Sequence, residues 1–144
     1  MAYYGGSPWI GVDLDGTLAT DGFDLDNPDR IGEPVEAMME RVRQWLSEGK
    51  TVKIFTARAS VPRQVALVKQ WLRNHNLPDL EVTNAKDFKM VELWDDRAVR
   101  VDRNSGEPAA YSELPDVRQN KLSIRARRRS GTSLFSKLRL FLAL

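Results

Sequence analysis

Residues 9–17 read Trp-Ile-Gly-Val-Asp-Leu-Asp-Gly-Thr, a short apolar run that breaks at two aspartates and a glycine. Apolar residues on successive positions, rather than alternating ones, are the pattern of a parallel strand buried on both faces. The run predicts a strand from Trp9 to Leu14. Gly16 lets the chain bend sharply after it. In open sheets of parallel strands, ligands bind beyond the carboxyl ends. Asp13 and Asp15 therefore fall where a ligand would sit.

The later segments extend this into an alternating plan. Residues 18–33, rich in Asp, Gly, Asn and Pro, read as a loop. Val35, Met38, Met39, Val42, Trp45 and Leu46 recur at helical spacing, with Pro34 suited to a first turn and Gly49 to the stop. Thr51–Thr56 is β-branched and alternating, a second strand. A helix capped by Ser60, with Pro62 in its first turn, presents Val65, Val68, Trp71 and Leu72, and Asn76-Leu-Pro-Asp closes it. His75, near that helix end, reads as a terminal residue rather than a catalytic one. Leu80–Thr83, Val91–Trp94 and Ala98–Val101 read as three further strands, and Asn104-Ser-Gly106 as a turn. Strands alternating with amphipathic helices indicate an α/β fold, a three-layer sandwich around a mainly parallel, Rossmann-like sheet.

The chain has 144 residues, enough for one domain of ordinary size, with no room for a separate cap or second catalytic domain. It contains no cysteine, which excludes disulfides, thiolate metal sites and cysteine nucleophiles. The start, MAYYGGSP, lacks the basic and apolar features of a signal peptide, and no apolar run is long enough to span a membrane. A cytoplasmic protein is the expectation. The formal charge of +2 conceals a division: residues 118–144 hold eight Lys and Arg and no acid, leaving 14 basic and 20 acidic side chains in residues 1–117. The organisation expected is an acidic catalytic body, 1–117, and a basic tail, 118–144, ending in the amphipathic segment SLFSKLRLFLAL.

The strand ends gather one chemistry. The first strand delivers Asp13 and Asp15, the second Thr56, and the fourth Asp95 and Asp96, while Lys86 and Lys89 lie in the connection before the fourth. Asp13 and Asp15 share one face of a continuing strand. Close carboxylates repel one another unless a cation or proton intervenes, and an oxygen-rich set of this kind suits Mg²⁺. Carboxylates, a hard cation, backbone N–H groups freed at Gly16 and a lysine together fit a phosphate-like anion. One aspartate can attack phosphorus while its neighbour shuttles a proton.

Asp13-Leu-Asp-Gly-Thr17, the strand ending at Thr56, the following lysine and Leu93-Trp-Asp-Asp96 resemble the four motifs of the haloacid dehalogenase-like hydrolases. They match in order and spacing across residues 9–103. The resemblance implies that Asp13 is the nucleophile, forming an aspartyl-phosphate, and Asp15 the acid/base. It implies that Thr56 holds a phosphoryl oxygen and Lys86 balances charge. Thr83-Asn-Ala-Lys86 is similar to an Asn-x-Lys segment of the family, although Lys89 competes. Mg²⁺ would be bound by Asp13, the backbone carbonyl of Asp15 and Asp95, with Asp96 a ligand directly or through water. Gly16, Thr17, Ala57, Arg58 and Arg97 fall at substrate-binding positions. Arg58 and Arg97 serve equally well as structural ion-pair partners.

The short gaps after both motifs leave no large cap domain, so the site is expected to be open to a phosphorylated substrate. Phe55-Thr-Ala-Arg58 and Asp95-Asp-Arg-Ala-Val99 resemble the phosphatase domains of polynucleotide end-processing enzymes and some nucleotidases. Residues 118–144 suit nucleic acid or an anionic membrane alike. The terminal segment equally suits docking on its own body or on a second subunit, as in a homo-oligomer. The opposing functional class is a noncatalytic adaptor in which the tail acts and the body is a scaffold.

Overall fold

All four residues of β1 (Trp9–Val12) are buried, because the strand has a parallel neighbour on each side. β2 (Thr51–Phe55) lies along one edge of it and β4 (Met90–Trp94) along the other, while β3 (Glu81–Thr83) pairs with β2. The order is β3-β2-β1-β4, with every pairing parallel. These elements come from a computed structural model that describes residues 5–109. Its contacts divide the chain into two units, Met1–Asp96 and Arg97–Leu144. The protein has an α/β fold built on a parallel sheet, as the alternating pattern predicts.

Helix α1 (Glu36–Ser47) links β1 to β2, and α2 (Pro62–Asn74) links β2 to β3. Both crossovers step the same way across the sheet. Right-handed connections therefore place both helices on one face. The core agrees: Met39, Val42 and Trp45 of α1 and Val68, Trp71 and Leu72 of α2 form one cluster with Ile10, Val12, Val52 and Ile54. Among the described residues the sheet carries helices on this face alone, and the third layer of the expected sandwich is not among them. On the opposite face the Trp9 indole donates to Asp87 at 2.8 Å and lies 4.7 Å from the Lys53 ammonium. The β3–β4 connection, residues 84–89, contains no helix.

Both helices stop as their sequences indicate. Gly49, at φ +77°, donates to the Leu46 carbonyl and Lys50 donates to that of Trp45, a paired closure that favours a left-handed residue. Asn76, at φ 59°, plays the same part after α2, and Leu77 is buried directly behind it. The starts differ from expectation. Val61, not Ser60, occupies the cap position of α2, since the Ser60 hydroxyl donates backward to the Ala57 carbonyl within a 3₁₀ turn, Ala57–Ser60. Pro34 precedes α1 and bridges to Ala19.

Two strand expectations need correction. β1 ends at Val12 because the Asp13 N–H makes the last bond to β4, on the Trp94 carbonyl, and the chain then closes a tight turn through Leu18 N–H to Asp13 O and Ala19 N–H to Leu14 O. Ala98–Val101 is not a strand. In the second unit Val101 forms an isolated antiparallel bridge with Pro108 across a turn containing Asn104 and Gly106, both at positive φ. Val101 is exposed, and among the described residues the pairing goes no further than this one bridge, too little to make a strand. Residues 118–144 lie outside the described residues, together with every expectation placed on them. Among the described residues no helix is long and apolar enough to cross a membrane.

Ile54 is fully buried on the helical face of β2, whereas Val91 on the edge strand is 61% exposed. Ile54→Ala is expected to cost about 2–5 kcal/mol in urea unfolding, and Val91→Ala no more than about 0.5 kcal/mol. Equal losses would contradict this placement of the core.

Candidate active site

The carboxyl ends of β1 and β4 are tied by the Asp13 N–H to Trp94 carbonyl bond at 2.8 Å, which brings Asp13 beside the two residues after β4. Carboxylate oxygens of Asp13, Asp95 and Asp96 lie within 4.8 Å of one another. Asp13 and Asp95 are partly buried and Asp96 is exposed. The turn after β1 fits around the last of these. Gly16 has φ +94°, and a Cβ there would meet Asp96 Oδ2 at 2.7 Å, so both backbone angle and space demand glycine. Thr17 Oγ1 accepts from the Asp96 N–H at 3.1 Å and donates to its Oδ1 at 3.4 Å. Gly16 and Thr17, expected at the substrate, thus hold Asp96.

Burial and crowding show in the proton affinity of Asp13. Burial, then the charge of Asp95, and further the charges of Asp96 and Asp15, push its carboxyl up to about 7, against the bond from the Leu14 N–H that lowers it. Three hard oxygen donors under mutual repulsion are the chemistry a divalent cation relieves, and Asp13, Asp95 and Asp96 are the residues that could hold one.

Asp15 stands outside that trio, engaged by Arg58. The guanidinium meets it fork to fork, Nε to Oδ2 and Nη2 to Oδ1, both at 2.7 Å. Arg58 is buried and its remaining three N–H groups are also used. Nη1 donates to the Pro28 carbonyl and to Gln64 Oε1 at 2.7 Å, and Nη2 to the Arg30 carbonyl at 2.8 Å. With five donors and five acceptors, no N–H is left for a phosphate. Of the two roles open to Arg58, substrate ligand and ion-pair partner, the geometry is that of the second.

Thr56, buried at the end of β2, donates its N–H to the Thr83 carbonyl, and its hydroxyl oxygen accepts from the Arg58 N–H at 3.2 Å. Ala57 is exposed on the 3₁₀ turn. The two lysines separate along the strands. The Lys89 carbonyl accepts from the Trp9 N–H at the amino end of β1, the edge of the sheet opposite the carboxylates. Lys86 is exposed, three residues beyond the carboxyl end of β3. Strand geometry favours Lys86. Arg97 begins the second unit. His75 follows α2 with its ring 4.5 Å from Trp71, in keeping with a terminal role.

Sequence reading passed over Gln64, Asp29 and Phe23. Gln64 accepts from Arg58 and donates to Asp29 Oδ1 at 2.9 Å, Asp29 pairs with Arg63, and the Phe23 ring lies 5.3 Å from the Arg58 guanidinium. No local pattern marks them, because Gln64 becomes buried only through the fold. The chain matches no family model, no curated protein and no solved structure. The site is therefore defined by its own geometry.

The raised affinity of Asp13 has a definite sign. Its folded carboxyl titrates near 7 and an unfolded one near 4, so between these values the folded state holds the proton and the unfolded state releases it. Stability contributed by the protonated form is full below about pH 4 and lost as pH rises through about 7. In EDTA, Asp13→Asn is expected to be more stable than wild type at pH 8 by on the order of 2 kcal/mol, a figure reduced for solvent contact. The gap should shrink toward pH 4. Urea melts at pH 5 and pH 8 measure it, and a variant no more stable at pH 8 counts against charge crowding.

Proposed function

We propose that the protein is a magnesium-dependent phosphatase of the haloacid dehalogenase-like kind, hydrolysing phosphate monoesters through an aspartyl-phosphate on Asp13. The observation that carries this reading is the convergence of Asp13, Asp95 and Asp96 within 4.8 Å at the carboxyl edge of a parallel sheet, with Asp15 on the adjoining turn. The reading brings with it the family's three-layer arrangement and a cytoplasmic setting.

Asp13, Asp95 and Asp96 would hold Mg²⁺, which when bound would supply positive charge against the phosphate and the crowded carboxylates. In the first step an Asp13 oxygen bonds to phosphorus as the ester P–O bond breaks, and protonated Asp15 gives its proton to the departing oxygen. In the second step Asp15 takes a proton from water, whose oxygen attacks phosphorus. Inorganic phosphate leaves and Asp13 is restored. The Thr56 oxygen accepts from Arg58 N–H, which leaves its own O–H to donate to a phosphoryl oxygen. Lys86 balances the accumulated negative charge from the β3–β4 connection.

The connections after the first two motifs hold a hairpin, residues 19–34, and helix α2, not a cap domain. A site without a cap domain among the described residues suits phosphates on nucleotides or on polynucleotide ends. Activity is read with Mg²⁺ on p-nitrophenyl phosphate, sugar phosphates, mononucleotides and oligonucleotides phosphorylated at either end. Asp13→Asn keeps the shape and removes the nucleophilic charge, and turnover should fall by roughly 10³-fold or more. Full activity in that variant rules out the covalent route. A wild type inactive on the whole panel that still binds nucleic acid or anionic vesicles favours the adaptor.

The two aspartates after β4 differ in setting, Asp95 partly buried and Asp96 exposed beside Thr17. Asp95→Ala is expected to weaken Mg²⁺ binding more than Asp96→Ala in calorimetric titration. The reverse order defeats the assignment.

A further inference from the structure

We propose that Arg58 is a positioning residue for Asp15 and that the 19–34 hairpin, through Arg58, sets the direction in which Asp15 presents its proton; this role rests on the phosphatase reading. Four parts of the chain meet at one guanidinium: the turn after β1 through Asp15, the hairpin through the Pro28 and Arg30 carbonyls, α2 through Gln64, and the 3₁₀ turn that carries Arg58 itself. Fork-to-fork pairing fixes the carboxylate plane as well as its position. It uses one lone-pair site on each Asp15 oxygen and leaves the others for proton transfer. A lysine has a point charge and no fork, so it cannot impose that plane.

The hairpin is itself held firmly. A Cβ on Gly32 would lie 2.0 Å from the Thr20 carbonyl oxygen, the two arms of the hairpin passing in backbone contact. The Trp71 indole donates to the Gly32 carbonyl at 2.9 Å, and Thr20 N–H to the Glu33 carbonyl at 2.7 Å. Its tip is braced by Asp29 against Gln64 and Arg63 on α2. Arg58 therefore has a rigid backing on the side away from Asp15. Its carboxylate partner is two residues from the nucleophile.

A general acid matters in proportion to how poor the leaving group is. Kinetics of Arg58→Lys and Gln64→Ala are therefore compared on p-nitrophenyl phosphate, whose phenolate leaves unaided, and on an alkyl phosphate, whose alkoxide must be protonated. Both variants are expected to lose more kcat on the alkyl ester than on the aryl ester, the ratio shifting by about tenfold or more for Arg58→Lys and in the same direction for Gln64→Ala. Asp15→Asn gives the upper limit of that shift. Gln64→Ala leaves the charged pair intact and carries the test where Arg58→Lys does not fold, as judged by thermal melts. Equal losses on the two esters, or a shared rise in KM with kcat kept, overturn the positioning role while leaving an active phosphatase. A wild type that hydrolyses neither ester overturns the phosphatase reading and this role with it.

Discussion

The pairing of β1 on both sides is the constraint on which the site depends. Because β2 and β4 both run parallel to β1, the chain leaves all three strands at one edge, and the residues after each strand are delivered there. The last backbone bond of the β1–β4 ladder, Asp13 N–H to Trp94 carbonyl, sets two acidic segments side by side although they are over 80 residues apart in the chain. No local preference of either segment would bring them together. The apolar run of β1, buried at every residue, anchors the strand so that its acidic end cannot retreat into solvent.

Concentrating negative charge opposes folding, and the fold handles the two halves of the Asp-Leu-Asp motif differently. Asp15 is compensated inside the protein by a buried arginine whose five donors are all used. Asp13 is not compensated in that way, and its carboxyl is pushed up to about 7. The two carboxylates sit two residues apart with opposite electrostatic solutions, one paired and one crowded. Breaking a buried pair by removing one partner costs far more than the pair itself contributes, so Arg58 and Asp15 also bind the hairpin to the sheet.

Whatever depended on periodicity was legible in the sequence. Strands β1 to β4, both helices and the closures at Gly49 and Asn76 follow from spacing and from residues suited to left-handed backbone. Asp13, Asp95 and Asp96 were legible as a group because parallel topology turns strand ends into neighbours. Elements that depend on a long-range partner were not. Ala98–Val101 has β-branched composition, yet among the described residues its only pairing is a single bridge with Val101 exposed. Ser60 has the chemistry of a cap, yet a 3₁₀ turn claims its hydroxyl first. The role of Arg58 was undecided for the same reason: two of its acceptors are carbonyls of Pro28 and Arg30, which any residue type would offer. Carbonyl acceptors leave no trace in side-chain patterns.

The hairpin is tied to Asp15 because of how its backbone groups are satisfied. A loop of acidic and polar residues without regular ladders leaves its carbonyls to side-chain donors or to water. Here a charged donor from the end of β2 serves two of them and Asp15 at once. A neutral amide at position 58 could supply at most two N–H groups and no charge, and an ammonium three without planarity. Only a guanidinium has enough donors, in one plane, to reach a carboxylate, two carbonyls and a glutamine together. The guanidinium that fastens the hairpin is therefore the same one that holds Asp15.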